Sequence, residues 1–332
     1  LCLTIMVNSC VLHFQLFVRG LMFFHIPCLI YTFLWNIVPY LFEEYGTWTV
    51  YYMNVLVAFM LMNLVANWSA TILYDPSFAK TKDNPFFENH NGDSPPDHFT
   101  PLLERSSNKN GLNGHCVYDM TSKEALPWGF CERCDMDIPP RANHCRVCKK
   151  CVLKRDHHCF LVGNCVGFKN QRYFIMMNFY LMALGWFGGF LTFRYIQFAV
   201  WSELNSWAEL MFPVAIVQGI LGNIKLFHML LIFLVFTEIF FGFIGFVYFT
   251  SQMTMSAGGV TLYEVAKKVP IKNNNTMNNN MKSIFGDFWL LNFIFPMTLV
   301  FRQRDDGIHW DNVKIDHTKR NKQLLNQKKA NE

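Results

Sequence analysis

The sequence predicts a polytopic α-helical membrane protein: four transmembrane helices, with a small cysteine-rich domain in the cytosolic loop between helices 2 and 3. Three observations lead there. The 332-residue chain is 52% apolar and only 16% charged, well below the roughly 25% charge of soluble domains. Four apolar stretches approach or exceed the ~20 residues that span a bilayer. Seven of the eleven cysteines crowd between Cys131 and Cys165.

Residues 1–20 are apolar but interrupted by Asn8, Ser9, His13 and Gln15, which suits a leader, an interfacial helix or an extra span. No basic n-region supports a cleaved signal peptide. Residues 21–73 hold spans 1 and 2, Leu21–Phe42 and Trp48–Leu73, joined by the acidic connector Glu43-Glu44-Tyr45-Gly46-Thr47. Residues 74–130 read as a flexible loop, because Asn84-Pro85, Ser94-Pro95-Pro96 and Ser106–Gly114 are turn and linker signals. Residues 131–172 form the cysteine-rich domain, and 173–250 hold spans 3 and 4, Tyr173–Phe193 and Leu226–Thr250. Met211–Gly222 is too short to cross and reads as an interfacial or re-entrant segment. Residues 251–332 form a C-terminal region. Within it, Ile284–Phe301 contains Asp287 and Pro296 and reads as an amphipathic segment, not a fifth span.

Lysine and arginine set the orientation. They are dense from Lys80 to Arg172 and from Lys267 to Lys329, whereas the opposite connectors carry Glu43, Glu44, Glu203 and Glu209. The central loop and the tail are therefore expected in the cytosol. The formal charge of +5 lies mostly on these parts. Positive-inside bias accounts for it, with attraction to anionic headgroups as an addition. No recognition helix or basic stripe flanks the cysteines, so nucleic acid is not an expected partner.

Cys131-x2-Cys134 and Cys145-x2-Cys148-x2-Cys151 have zinc spacings, since a short turn lets both thiolates enter one tetrahedron. A disulfide framework would need an oxidising compartment, against the cytosolic placement. Two closed sites need eight ligands. Cys131, Cys134, Cys145, Cys148, Cys151, Cys159 and Cys165 with His144, His157 and His158 offer ten. Spacing alone leaves open which cysteine and which histidine are spare.

The ordered pattern Cys131-x2-Cys134, Pro139-x-Arg141-x2-His144-Cys145-x2-Cys148-x2-Cys151 and Asp156-His157-His158-Cys159-x5-Cys165 resembles the cysteine-rich domain of DHHC-type protein S-acyltransferases (palmitoyltransferases). Asp75-Pro76, Thr261-x2-Glu264 and Asn280-x4-Phe285-Gly286 agree with the family's flanking motifs. The resemblance implies one structural zinc on Cys131, Cys134, His144 and Cys151 and a second on Cys145, Cys148, His158 and Cys165. It leaves Cys159 as nucleophile, His157 as base and Asp156 as the group that orients it. It also implies palmitoyl-CoA or a similar acyl-CoA as co-substrate, acceptor cysteines on membrane-associated proteins, and an endomembrane (ER or Golgi, or else plasma membrane).

The chemistry asks for these residue types. A thiol at its ordinary pKa of about 8.5 is only a few per cent thiolate near neutrality, so it needs a base. A sixteen-carbon chain loses roughly 10 kcal/mol on entering water, which favours a membrane-embedded enzyme. Arg141, Lys149, Lys150, Lys154, Arg155, Lys169 and Arg172 are a pool of cations available to the CoA phosphates, not a site, and most of them read as solvated faces. Three positions depart from the family pattern: Phe160-Leu161 in place of Pro-Trp, Ser77 in place of Gly, and Leu262 in place of a threonine whose hydroxyl buttresses the aspartate. These departures bear on rate or chain-length choice and leave the nucleophile, base and orienting acid in place; the alternative reading is a catalytically weak or inactive, zinc-stabilised membrane adaptor of the same family. Glu238, inside span 4, is expected to hydrogen-bond a neighbouring span.

Overall fold

Uninterrupted apolar sequence, with no bilayer-depth partner for a free amide, folds as helix because helix satisfies its own backbone. A computed structural model describes residues 24–78, 116–118, 126–294, 303, 305–310 and 312–331, together with His13 and Gly20. Four helices in it are long and apolar enough to cross a membrane: α1 Phe24–Tyr45, α2 Thr47–Leu73, α3 Gln171–Glu203 and α5 Leu226–Gly258. The protein is therefore a polytopic α-helical membrane protein, with four spanning helices among the described residues and its cysteine-rich segment between α2 and α3. Apart from His13 and Gly20, residues 1–20 lie outside the described residues, as do 79–115 and 119–125 of the loop expected at 74–130.

α3 and α5 outrun the stretches expected from hydropathy, Tyr173–Phe193 and Leu226–Thr250. Polar residues do not end a helix whose backbone bonds continue, and Arg194 Nη1 donates to Gln197 Oε1 at 2.8 Å on the α3 surface. Met211–Gly222 becomes α4, Phe212–Ile220, whose nine residues are too short to span. At the C-terminal side, α7 Met277–Phe285 stops at Gly286, whose φ of 88° breaks the helical path. A 3-10 turn, Trp289–Phe293, follows, and no fifth spanning helix occurs among the described residues. Pro296 and its neighbours lie outside them.

The chain divides into two compact units. The helical unit takes α1, α2 to Ala70, and the chain from Tyr173 to Met253. Within it α3 and α5 approach closely through glycine: a Cβ on Gly185 would lie 2.5 Å from Gly242 Cα. Small residues let backbones touch where lipid offers no hydrophobic drive. Thr192 Oγ1 of α3 donates to Glu238 Oε2 of α5 at 2.8 Å along the same seam. Trp35, Tyr52 and Phe240 project from these helices, exposed as lipid-facing side chains are.

The second unit takes Thr71–Arg172 and the chain from Thr254 onward. Its strands are two or three residues long and come in small antiparallel sheets. β1 Ser77–Phe78, β6 Lys150–Val152 and β5 Asn143–Cys145 form one; β2 Cys116–Tyr118, β3 Gly129–Cys131 and β4 Met136–Ile138 a second. β7 His157–Cys159 pairs with β8 Asn164–Val166, and β9 Ile271–Asn273 with β10 Val313–Ile315. Helices α6 Leu262–Ala266 and α8 His317–Asn331 complete it. Sheets this short bury little apolar surface, so such a domain needs cross-links or metal to hold.

Candidate active site and metal centres

Two turns of the same design carry the CxxC pairs. Cys134 N–H donates to Cys131 O at 3.2 Å, and Lys149 N–H to Cys145 O at 2.7 Å. The residue after the second cysteine is left-handed in both, Asp135 at φ 49° and Lys149 at φ 55°. Non-glycine residues rarely adopt that conformation, and here it turns both thiols of each pair inward.

Strand alternation then sorts the ligands. Successive side chains on a strand point to opposite faces. On β5, His144 stands across from Cys151 of β6, while Cys145, the next residue, stands across from Lys150 and faces the other way. His144 and Cys151 meet Cys131 and Cys134; Cys145 and Cys148 meet His158 and Cys165, which are themselves cross-strand partners on β7 and β8. Neighbours in sequence thus enter different clusters, and β5 serves both.

In the first cluster His144 Nδ1 lies 3.6, 3.3 and 4.0 Å from the sulfurs of Cys131, Cys134 and Cys151. In the second His158 Nδ1 lies 3.8, 3.2 and 3.7 Å from those of Cys145, Cys148 and Cys165. A tetrahedron with Zn–S of about 2.3 Å and Zn–N of about 2.0 Å has edges of roughly 3.5–3.8 Å. Both clusters could hold a metal ion of that size. Their protons also compete. Hydrogen bonding with Cys148 and Cys165 pulls the Cys145 thiol well below its usual range, and hydrogen bonding with Cys145 and Cys148 pushes Cys165 far above. A bound dication would relieve that competition by taking thiolates from every sulfur. Cys28 and the seven cysteines from Cys131 to Cys165 are free thiols, with no disulfide among them.

The same alternation turns His157 and Cys159 to the face of β7 opposite His158. Asp156, 1% exposed, precedes the strand and anchors it, its N–H donating to Val166 O at 2.9 Å. Asp156 Oδ2 is 2.7 Å from His157 Nδ1. Burial lowers the imidazole pKa, but hydrogen bonds with Asp156 and Cys159 outweigh it and raise the group to about 9. Cys159 is buried, and the turn after it closes through Gly163, whose N–H donates to Cys159 O at 2.8 Å with φ at 70°. Phe160 is largely outside this packing, edge-on to His158 at 5.1 Å.

The expectation about Leu262 changes. Its side chain has no hydroxyl, yet its backbone N–H donates to Asp156 Oδ1 at 2.7 Å. A first-turn amide of α6 therefore supports the carboxylate whatever side chain stands there. That amide is aimed by a capping box. Thr261 Oγ1 accepts from Glu264 N–H at 3.2 Å, and Glu264 Oε2 accepts from Thr261 N–H at 2.8 Å. Sequence reading marked Thr261 and Glu264 as a motif but missed that a backbone amide is the working part.

The cation pool also needs correction. Arg141 is buried, donating from Nε and Nη2 to Glu264 at 2.7 and 2.8 Å and from Nη2 to Gly259 O at 3.0 Å. Lys154 is likewise buried, its ammonium held down to about pKa 8 by burial and by Arg141, against Glu264, Asp305 and Asp156. Arg155 donates to His144 O and stacks on Tyr263. A charge engaged inside the fold is not open to a phosphate. Lys150, paired with Asp75, stays at the surface, as do Lys149 and Lys169.

Residues 126–269 match the family model described as DHHC palmitoyltransferase. The chain is 30% identical over 207 residues to palmitoyltransferase ZDHHC3 of Rattus norvegicus, covering 56% of this chain and 64% of that one. It is 28% identical over 180 residues to palmitoyltransferase ZDHHC3-A of Danio rerio, covering 53% and 52%. It is 35% identical over 110 residues to palmitoyltransferase pfa3 of Neurospora crassa, covering 31% and 17%. The chain spans less than two thirds of the length of these curated relatives. The matched stretch holds both clusters, the Asp156–Cys159 strand and the α6 capping box, so over residues 126–269 the chain carries a DHHC palmitoyltransferase domain.

Proposed function

We propose that the protein is an integral-membrane S-acyltransferase that moves a long-chain acyl group, palmitoyl foremost, from acyl-CoA to cysteines of substrate proteins through an acyl-enzyme on Cys159. The observation that carries this reading is the division of β7: His158 faces a ligand cluster, while His157 and Cys159 face away from it with Asp156 bonded to the imidazole. His157 accepts the Cys159 proton, and Asp156 holds the ring in the tautomer that can do so. The sulfur attacks the thioester carbonyl, the bond to CoA sulfur breaks, and the departing thiolate takes the proton back from His157. A substrate cysteine repeats the exchange in reverse, releasing Cys159. Each step trades one thioester for another, so little driving force is needed.

Zinc suits both clusters by donor type and size, and four protein ligands at each leave no open position, so its role is to hold the strands. Acyl-CoA and membrane-associated proteins with cytosolic cysteines are the partners of this chemistry. The basic loop and tail favour a cytosolic active face; the proposed location is an endomembrane, ER or Golgi, with the plasma membrane as the alternative.

Labelling with an alkyne fatty acid tests the reading. Hydroxylamine-labile label is expected on the full-length chain and absent from Cys159→Ser and His157→Ala, with zinc content unchanged in both. Label persisting in Cys159→Ser refutes the nucleophile; a labelless, zinc-replete wild type points to the adaptor instead.

A further inference from the structure

Buried charges call for a reason, and Arg141 and Lys154, both buried, share one neighbour. Trp310 lies under both, 4.5 Å from the Arg141 guanidinium and 5.5 Å from the Lys154 ammonium. It arrives from the far C-terminal side of the chain by a built turn. Asp306 Oδ1 accepts from the N–H groups of Ile308 and His309 at 2.8 and 2.9 Å. Gly307 sits at φ 81° against Phe168, where a Cβ would come within 2.6 Å of the ring. Gln303 Nε2 donates to Phe168 O at 2.9 Å, and Phe168 meets Trp310 edge-on at 6.2 Å. Ile308 and Trp310 pack against the apolar cluster of Ile138, Ala142, Leu153 and Phe168.

From this ring a continuous series of short bonds runs to the catalytic strand. Arg141 holds both oxygens of Glu264; Glu264 closes the capping box on Thr261; the box aims the Leu262 amide at Asp156; Asp156 holds His157. The guanidinium has one planar orientation that makes the bidentate pair, and a ring face beneath it restricts it to that plane. We propose that Trp310 is a positioning residue for acyl transfer: its π face fixes Arg141, and through Glu264 and the Leu262 amide it fixes the Asp156 carboxylate that orients His157. This inference rests on the catalytic roles proposed above.

The test is single-turnover acylation of Cys159 by palmitoyl-CoA in the purified, zinc-replete full chain. Trp310→Leu keeps apolar bulk and loses the face; it is expected to lower the saturating rate about ten-fold while leaving half-saturation by palmitoyl-CoA unchanged. Trp310→Phe, which keeps a face, restores most of the rate. In an Asp156→Asn background the Trp310→Leu effect should disappear, because the series ends there. A wild-type rate for Trp310→Leu, a loss expressed only in half-saturation, or an undiminished effect in Asp156→Asn overturns the proposal. Should Trp310→Leu shed zinc, multiply fluorinated tryptophan placed at 310 decides, since its shape is nearly kept and its face is depleted: a lowered rate supports the role and an unchanged rate ends it. Cys159→Ser run alongside separates the two readings, for label on that variant would refute the nucleophile and not the positioning role of Trp310.

Discussion

Glu264→Gln is the sharpest perturbation of the site's scaffold. Arg141 and Glu264 have side chains only 3% and 5% exposed and share two bonds of 2.7 and 2.8 Å. Glutamine keeps the shape and removes the charge, leaving a guanidinium buried without its counter-ion. Breaking a buried pair from one side costs about 3–5 kcal/mol, which for a unit of this size lowers the thermal midpoint by roughly 6–20 °C. Replacing both partners by apolar residues, Arg141→Met with Glu264→Leu, removes the stranded charge and should cost only about 1–2 kcal/mol, the part owed to the capping box. The assay is thermal unfolding of zinc-loaded protein in detergent, followed by tryptophan fluorescence, for wild type, both single variants and the double. A Glu264→Gln midpoint within about 2 °C of wild type would refute the reasoning, as would single-variant losses that simply add in the double.

Further predictions concern metal, proton and base. His144→Ala should release more than one metal equivalent on dialysis, because β5 carries ligands of both clusters; retention of one full equivalent, by atomic absorption, would contradict the shared-strand reading. Lys154 titrates near 8 in the fold against 10.5 when exposed. Between those values the unfolded chain holds more protons, so stability rises with pH, by an amount on the order of 3 kcal/mol. Lys154→Met should flatten that rise in midpoints measured from pH 7 to 10.5, and an unchanged slope would count against it. Asp156→Asn should cut the acylation rate at least a hundred-fold, as mis-set tautomers do in other triads, with zinc retained; loss of zinc instead would make the aspartate a structural residue.

Much of the molecule is legible in one dimension. Hydropathy marks the four helices because the bilayer imposes length and composition on each segment by itself. Cysteine spacing marks the two CxxC turns because a knuckle is a local object. Hydropathy misplaces the ends of α3 and α5, since a helix continues past the apolar stretch as long as its own bonds are made. Arg141 and Lys154 read as available surface cations because composition says nothing about what folds over them. Leu262 reads as a lost contact because a backbone amide leaves no trace in residue type.

The sequence alone determined which residues are chemically capable: ten cysteines and histidines able to bind metal, with an acid, two histidines and a thiol adjacent to one another at Asp156–Cys159. Counting left one histidine and one cysteine unassigned, and grouping them took the family resemblance. In three dimensions the sorting has a simple cause. Alternation on β5 sends His144 and Cys145 to opposite faces, and alternation on β7 does the same to His158 and the His157–Cys159 pair. Register and long-range closure, such as the 123-residue separation between Arg141 and Glu264, exist only once the chain has folded. Strand pairing and burial are properties of distant partners, so tertiary structure alone decides which capable residues cluster, which stand apart beside an acid, and which charge is enclosed.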